Sequence, residues 1–268
     1  IKDCDEKNIL NYKTKANYTL KGRVSNINTP EVPVFKYEIG AAPIPAGADK
    51  QANAKANAKK NKIEKGMLYL VATPIGNLAD LSERAIKVLS EVDFIAAEDT
   101  RHTLKLLNHF NIKKTLISYY KETEKNKSKI IINKILEGIN VALVSDAGTP
   151  GISDPGEEIV KECIKNNIEI IPIPGACAFV NALICSGLNT KEFIFLGFLS
   201  ANKKDKKNKL EEIKNENKTL ILYEAPHKIK DTLENMLEIL GDRNIVLGRE
   251  LTKIHEEFIR GKISEILE

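Results

Sequence analysis

Residues 141–156 read VALVSDAGTPGISDPG, an apolar run that stops at an acid and gives way to glycines, prolines and small hydroxyls. VALVS is expected to be a buried parallel strand, whose carboxyl end sets Asp146 and a glycine-rich loop at the mouth of a sheet. Ligands of open α/β sheets sit at that edge. Gly148 and Gly151 let backbone approach a ligand closely, Pro150 and Pro155 stiffen the turns, and Asp146 is left to accept hydrogen bonds. Taken alone, the same residues suit a tight strand-to-helix turn capped by Asp154 equally well.

Recurrence of the pattern tips this balance. The apolar run at 68–71 ends in ATPIGN (72–77), the run at 168–171 ends in PIPGA (172–176), and the run at 219–223 ends in EAPH (224–227). Strands that each finish in a Pro- or Gly-containing polar loop are how a doubly wound enzyme builds one cleft from many strand ends. A single composite site is therefore expected.

Working outward, helix and strand periodicities alternate from Met67 onward. Strands at 68–72, 94–97, 115–118, 141–145 and 168–172, separated by helices, predict a mainly parallel sheet with right-handed crossovers. A helix over 178–185 leads into a second set, with strands at 193–197, 219–223 and 245–249 and a helix at 229–240. The expected fold class is α/β: two α/β domains, a mainly parallel N-terminal sheet and a mixed C-terminal sheet, with a cleft between them. The domains are drawn at 66–175 and 176–268, the second reading as truncated because its pattern stops in mid-element. Residues 1–65 form a leader of unassigned role. Within it, 18–25 and 32–40 have strand character, and 46–60 (AGADKQANAKANAKK) is low in complexity, suiting a linker or a solvated helix.

Composition narrows the class. A chain of 268 residues with 42% hydrophobic content has ample material for one or two cored domains. The net charge of +4, from 41 basic and 37 acidic side chains, permits a nucleic-acid partner without demanding one. Cys4, Cys163, Cys177 and Cys185 show no CxxC spacing, and with four scattered histidines no zinc pattern or other metal site is expected. The cysteines read as reduced thiols. With no apolar run of membrane length and no signal-peptide core, a membrane or secreted protein is not expected, and the cytoplasm is the default location.

Candidate chemistry lies at the strand ends. Glu98, Asp99, Arg101 and His102 crowd the end of one strand in EDTRH, and Glu98, Arg101 and His102 are the candidate catalytic residues. The plain alternative is a helix start capped by Asp99 or Thr100. Glu224, His227 and Glu250 are further candidate bases. Lys203, Lys204, Lys206 and Lys207, with Lys209, follow the run FLGFLS and are candidates for RNA phosphate contact, against the alternative of a solvated helix face. An aromatic content of 6% with no Trp argues against a base-stacking platform.

The motifs ATPIGNLADLSERA, AAEDTRHTLKLLNHF, VALVSDAGTPGISDPG, PIPGACA, FLGFL, LYEAPHK and GRELTKIHEE occur in this order from Gly66 onward. Over that stretch, about three quarters of the chain, the sequence resembles the ribosomal-RNA-modifying branch of the tetrapyrrole methylase superfamily. The resemblance implies S-adenosylmethionine as cofactor, held in the cleft between two α/β domains of a homodimeric enzyme. It implies methylation of the ribose 2′-hydroxyl of a cytidine in the decoding centre of 16S rRNA, with the small ribosomal subunit as partner. By the same resemblance, cofactor contacts fall on Pro74, on Asp146, Gly148, Thr149 and Ile152, on Ala176, Cys177 and Ala178, and on Tyr223, Ala225 and Pro226. The chain departs from the family pattern at Cys177 or Ala178, at one of which a serine is usual, and the strands that the resemblance leads one to expect around the pocket would fall beyond Glu268. It also lacks the G-x-G-x-x-G turn of a Rossmann methyltransferase. A small-molecule methylase of tetrapyrrole type and a non-catalytic RNA-binding factor share the same fold expectation.

Overall fold

A computed structural model describes residues 66–268 and two short strands of the leader, β1 (Gly22–Arg23) and β2 (Val34–Phe35), which pair antiparallel. The two strands fall inside the stretches expected to be extended; the low-complexity stretch 46–60 lies outside the described residues. The chain divides into two units, Ile1–Lys60 and Asn61–Glu268, and the second carries everything below.

Strands β3 (Leu68–Val71), β4 (Phe94–Ala97), β5 (Thr115–Ser118), β6 (Val141–Val144) and β7 (Ile170–Ile173) form one sheet in the order β5-β4-β6-β3-β7, with every neighbouring pair parallel. Side chains alternate between its faces, as a two-residue period requires. Tyr69, Val71, Ile95, Ala97, Ala142 and Val144 enter one core, and Leu68, Phe94, Ala96, Val141 and Leu143 the other. The first core is covered by helices α1 (Glu83–Glu91) and α2 (Thr100–His109), through Ala85, Val88, Leu89 and Leu107. The second is covered by α3 (Glu124–Leu136) and α4 (Glu157–Lys165), through Ile131, Ile132, Ile135, Ile159 and Cys163. Burial on both faces explains why β4 and β6 read as continuous apolar runs rather than alternating ones.

This order places a topological switch between β3 and β6. The chain leaving β3 crosses by α1 on one face, whereas the chain leaving β6 crosses by α4 on the other, so a crevice must open at the carboxyl ends of these two strands.

The second half begins with helix α5 (Ala178–Ser186), which ends at Gly187 in the left-handed region, φ 79°. Strands β8 (Phe193–Phe198) and β9 (Thr219–Tyr223) form a parallel pair, and β10 (Asn244–Arg249) and β11 (Glu257–Lys262) an antiparallel one. Helices α6 (Lys203–Glu212), α7 (Ile229–Leu240) and α8 (Ile263–Leu267) bring Leu210, Leu233, Met236, Ile239 and Ile263 into a third core. The parallel and antiparallel pairs fit the mixed character expected of this half. A cavity of about 450 Å³ is walled by β9, β10, α5 and α7. No helix among the described residues is long and apolar enough to cross a membrane.

The loop after β6 is pinned from behind. Gly156, at φ 149°, precedes α4, and its N–H donates to Glu124 Oε1 over 2.7 Å. Tyr119, fully buried, donates to the same carboxylate oxygen at 3.4 Å and lies 2.9 Å from Ser128 Oγ. A Cβ at position 156 would sit 3.1 Å from Gly151 N and 3.2 Å from Leu143 Cδ2. Gly156→Ala therefore combines backbone strain with a clash against main chain, and is expected to cost about 1–3 kcal/mol. A thermal melt should record this as a drop of about 2–4 °C per kcal/mol; an unchanged melting temperature would show that the loop shifts freely.

Candidate functional site

The strand-end loops meet as the topology requires. Thr73, after β3, and Gly148, after β6, exchange two backbone hydrogen bonds, Thr73 N–H to Gly148 O at 2.8 Å and Gly148 N–H to Thr73 O at 3.0 Å. The Thr73 hydroxyl donates to Ser145 O at 3.2 Å, and the Thr149 hydroxyl to Ala176 O at 3.0 Å. The last bond draws in the loop after β7. There Gly175 lies so close to β3 that a Cβ would stand 2.9 Å from Ala72 Cβ. Three of the four expected loops are thus laced together, with Pro74, Asp146, Thr149, Ala176, Cys177 and Ala178 half-buried around them. Ile152 and Pro226, also expected here, are exposed.

The fourth loop arrives through Tyr223. Its hydroxyl accepts from Phe179 N–H, in the first turn of α5, at 3.2 Å, and its ring packs edge-on to Phe195 and obliquely to Phe198. The end of β8 comes equally close to the loop after β6: Gly197, at φ 63°, would place a Cβ 2.9 Å from Ser153 Oγ. The first contact ties the β9 loop to the start of α5, and the second brings the end of β8 to the β6 loop; they sit where the sequence offers an aromatic hydroxyl and a glycine.

The EDTRH corner divides. Asp99 is the N-cap of α2, its carboxylate accepting from Arg101 N–H at 2.8 Å and pairing with the Arg101 guanidinium at 2.8 Å. Chiefly through the Arg101 hydrogen bond, its carboxyl is held down at about 2. Arg101 and His102 are exposed. Glu98 points elsewhere, to the start of the β6 loop, where its Oε2 lies 3.5 Å from Asp146 N. Asp146 in turn accepts from Asp99 N–H at 2.9 Å. Asp154 joins this group rather than capping α4, whose N-cap position is Gly156 with no side-chain bond. Burial first, then the Asp154 and Asp146 carboxylates, raise the Glu98 carboxyl. Burial, with Asp146 adding to it against a Ser145 hydrogen bond, raises Asp154. The three carboxylates form an electronegative floor at the switch point, suited to a ligand that carries positive charge.

The basic run needs a correction. Lys203, Lys204 and Lys207 are exposed on α6, but Lys206 is only 4% exposed and turns inward, its Nζ 3.0 Å from both Asp231 Oδ2 and Thr232 Oγ1. Lys207 is paired with Glu238 at 2.8 Å and Lys209 with Glu212 at 2.9 Å. The helical period of 3.6 is the reason: Lys206 and Leu210 are four apart, on the face that packs on α7. Glu224, a candidate base, is occupied as well, accepting from Ala225 N–H at 2.8 Å and from the Thr232 hydroxyl at 2.6 Å.

The turn after β10, where the sequence offered Glu250 as a candidate base, has a backbone that the sequence did not foretell. Glu250 and Thr252 both have positive φ, 52° and 67°, and for a β-branched residue such as Thr252 that is strained backbone. The turn abuts the first strand-end loop, where a Cβ on Gly76 would stand 2.5 Å from Lys253 Cγ and 2.9 Å from Thr252 Oγ1. Beside it, Ile254 is 96% exposed. Left-handed conformation at Glu and Thr leaves no trace in composition or periodicity.

The floor has a measurable consequence. A carboxyl raised by folding above its ordinary 4.5 contributes stability that is present below pH 4.5 and is lost as the pH rises through the folded value. Glu98→Gln is therefore expected to raise the melting temperature at pH 7, with the gain fading as the pH is lowered past 4.5. Melts across this range decide it: a variant no more stable than the parent at pH 7 would mean that Glu98 bears no desolvation cost.

Comparison with known proteins bears on this arrangement. Residues 67–267 match the profile of the tetrapyrrole (corrin/porphyrin) methylases. Among curated relatives, a protein of Halalkalibacterium halodurans named ribosomal RNA small subunit methyltransferase I is 56% identical over 202 residues, 75% of this chain and 70% of that one. Proteins of the same name from Bacillus subtilis and Thermotoga maritima are 52% and 46% identical, covering 77% and 75% of this chain and 70% and 90% of theirs. Among solved structures, a diphthine synthase superposes with a TM-score of 0.59 at 17% identity, over 75% of this chain and 84% of its own. A cobalt precorrin-4 methyltransferase of cobalamin biosynthesis superposes at 0.55 with 15% identity, over 75% and 87%; at such identities these two speak for the fold alone. With a family profile spanning 67–267 and relatives of this identity over most of its described length, the chain belongs to the tetrapyrrole methylase family.

Proposed function

We propose that the chain is an S-adenosylmethionine-dependent methyltransferase acting on 16S rRNA of the small ribosomal subunit, at the ribose 2′-hydroxyl of a cytidine. The observation that carries this reading is the acidic, glycine-lined switch point in a chain whose curated relatives are named for small-subunit rRNA methylation. The residues fit the cofactor. Gly148 and Gly175 let the three loops close on one another, against Ile75 and Ala72, so that their main chain converges at the place an adenosine would occupy. The Asp146 and Asp154 carboxylates suit the positive charge of a sulfonium and an amino group.

S-adenosylmethionine supplies a methyl group already activated on sulfur. The chain's own work is to exclude water, to hold donor and acceptor in line, and to receive a proton from a weakly acidic ribose hydroxyl. Pro74, Gly148, Thr149, Ile152 and Ala176 to Ala178 hold the cofactor from the first half, and Tyr223, Ala225 and Pro226 from the second. Glu98 is the base, since desolvation raises its carboxyl towards the range in which a carboxylate accepts a proton effectively. Arg101 and His102, exposed beside it, meet the phosphoribose. Lys203, Lys204 and Lys207 supply phosphate contacts on α6. The reading retains domains at 66–175 and 176–268, a homodimer and a cytoplasmic setting.

Tritium transfer from labelled S-adenosylmethionine to purified small ribosomal subunits, with digestion to nucleosides, tests the activity. A labelled 2′-O-methylcytidine is expected, and label on a base or on no nucleoside at all would overturn the reading. Within an active enzyme, Glu98→Gln should lower kcat by at least about tenfold with cofactor affinity unchanged, the pattern of a lost transition-state contact. For the basic helix, Lys203→Ala with Lys204→Ala should weaken RNA binding and reduce the slope of log K against log salt by about 0.7–0.9 per lost phosphate contact. An unaltered slope would return the helix to a merely solvated face.

A further inference from the structure

We propose that Lys206 and Thr232 are positioning residues for the cofactor-facing loop Tyr223–Pro226, acting on it through Glu224. The inference rests on the cofactor site proposed above. It starts from a buried ammonium: Lys206 is 4% exposed and Thr232 3%, and the Lys206 Nζ donates to Asp231 Oδ2 and Thr232 Oγ1, each at 3.0 Å. Because the ammonium can only donate, it takes a lone pair of the Thr232 oxygen and leaves that hydroxyl's proton free to point the other way. It points to Glu224 Oε2, at 2.6 Å. The second oxygen of Glu224 accepts Ala225 N–H at 2.8 Å, in the loop itself. Two donor series thus meet on the Glu224 carboxylate, the ammonium and hydroxyl from α6 and α7 on one oxygen and the Ala225 N–H of the loop on the other.

A role confined to packing α6 on α7 would not call for this arrangement. Burying an ammonium carries a desolvation cost that well-packed apolar side chains of similar volume avoid, so a buried ion pair is weak evidence for stability as its purpose. What the charge secures is orientation. Asp231, the ion-pair partner, keeps its side chain 47% exposed, and Lys206 lowers its carboxyl chiefly through their hydrogen bond. On the other side of the loop, Tyr223 is anchored by its bond from Phe179 N–H. With Glu224 fixed on one flank and Tyr223 on the other, the loop is held at two adjacent residues, and a shift of either would move Ala225 relative to the switch point.

The test compares Thr232→Val, which keeps the shape and removes the hydroxyl, with Thr232→Ser, which restores it, and with Lys206→Met. Titration calorimetry with S-adenosylmethionine, the thermal melt and steady-state methyl transfer are measured on each. Thr232→Val is expected to weaken cofactor binding about tenfold, the loss of a hydrogen bond to a charged group. Its kcat at saturating cofactor should stay near the parent's, and Thr232→Ser should bind within about twofold of the parent on the same scale. Lys206→Met should move cofactor affinity in the same direction, and serves in place of Thr232→Val if that variant does not fold. Parent-like affinity in Thr232→Val or Lys206→Met, whatever the melting temperature, would reduce the network to helix packing and overturn the inference. A parent protein that does not bind S-adenosylmethionine would instead bring down the cofactor site itself.

Discussion

The parallel direction of β3, β4, β6 and β7 is the constraint from which the remainder follows. Once neighbouring strands in the order β5-β4-β6-β3-β7 run the same way, every loop leaving a carboxyl end emerges along one edge. The reversal of crossover direction between β3 and β6 then opens a crevice at one place on that edge and nowhere else. Backbone bonds between Thr73 and Gly148 fasten the two loops there, and the Thr149 hydroxyl brings the loop after β7 against them. The carboxylates of Glu98, Asp146 and Asp154 are pressed together as a by-product of that convergence. No single loop motif could have produced such a field, because its members come from the ends of β4 and β6 and from the start of the α4 turn.

The elements that periodicity foretold are those whose apolar residues are buried on defined faces. The VALV run of β6, the FIAA run of β4 and helix α7 were legible because burial and sequence pattern are the same constraint seen twice. The strand-end loops were legible because glycine and proline have few other reasons to follow an apolar run. Side-chain direction was much less so. Lys206 stands in a row of lysines indistinguishable by charge, and only the partner helix decides that it turns inward. Asp99 and Glu98, neighbours in one motif, separate into a cap and a member of the acidic floor because backbone geometry at the start of α2 sends them apart. Likewise, Asp154 looks like a cap in sequence, yet the left-handed backbone at Gly156 ends that role before α4 begins.

Electrostatics gives the site its polarity. Glu98 and Asp154 are raised by burial and by neighbouring carboxylates, whereas the half-buried Asp99 is lowered by Arg101. On the reading proposed above, the acidic floor would take the cationic small molecule, and the exposed Arg101 and the basic face of α6 the polyanion. Two substrates of opposite charge would on that reading be sorted by electrostatics before any shape is considered.

The cavity enclosed by β9 and β10 carries a different implication. Among the described residues, each of these strands is bonded to a neighbour strand on one side only, β9 to β8 and β10 to β11. The five-stranded sheet spreads its cohesion over three doubly bonded strands, whereas the second half relies on two separate ribbons and the helices that clasp them. Cooperative opening should therefore be uneven, with amides of β9 and β10 exchanging with solvent at lower free energy than those of β4 and β6. Where a long-lived tertiary framework ends and an adaptable one begins is thus set within this chain at the passage from β7 to α5.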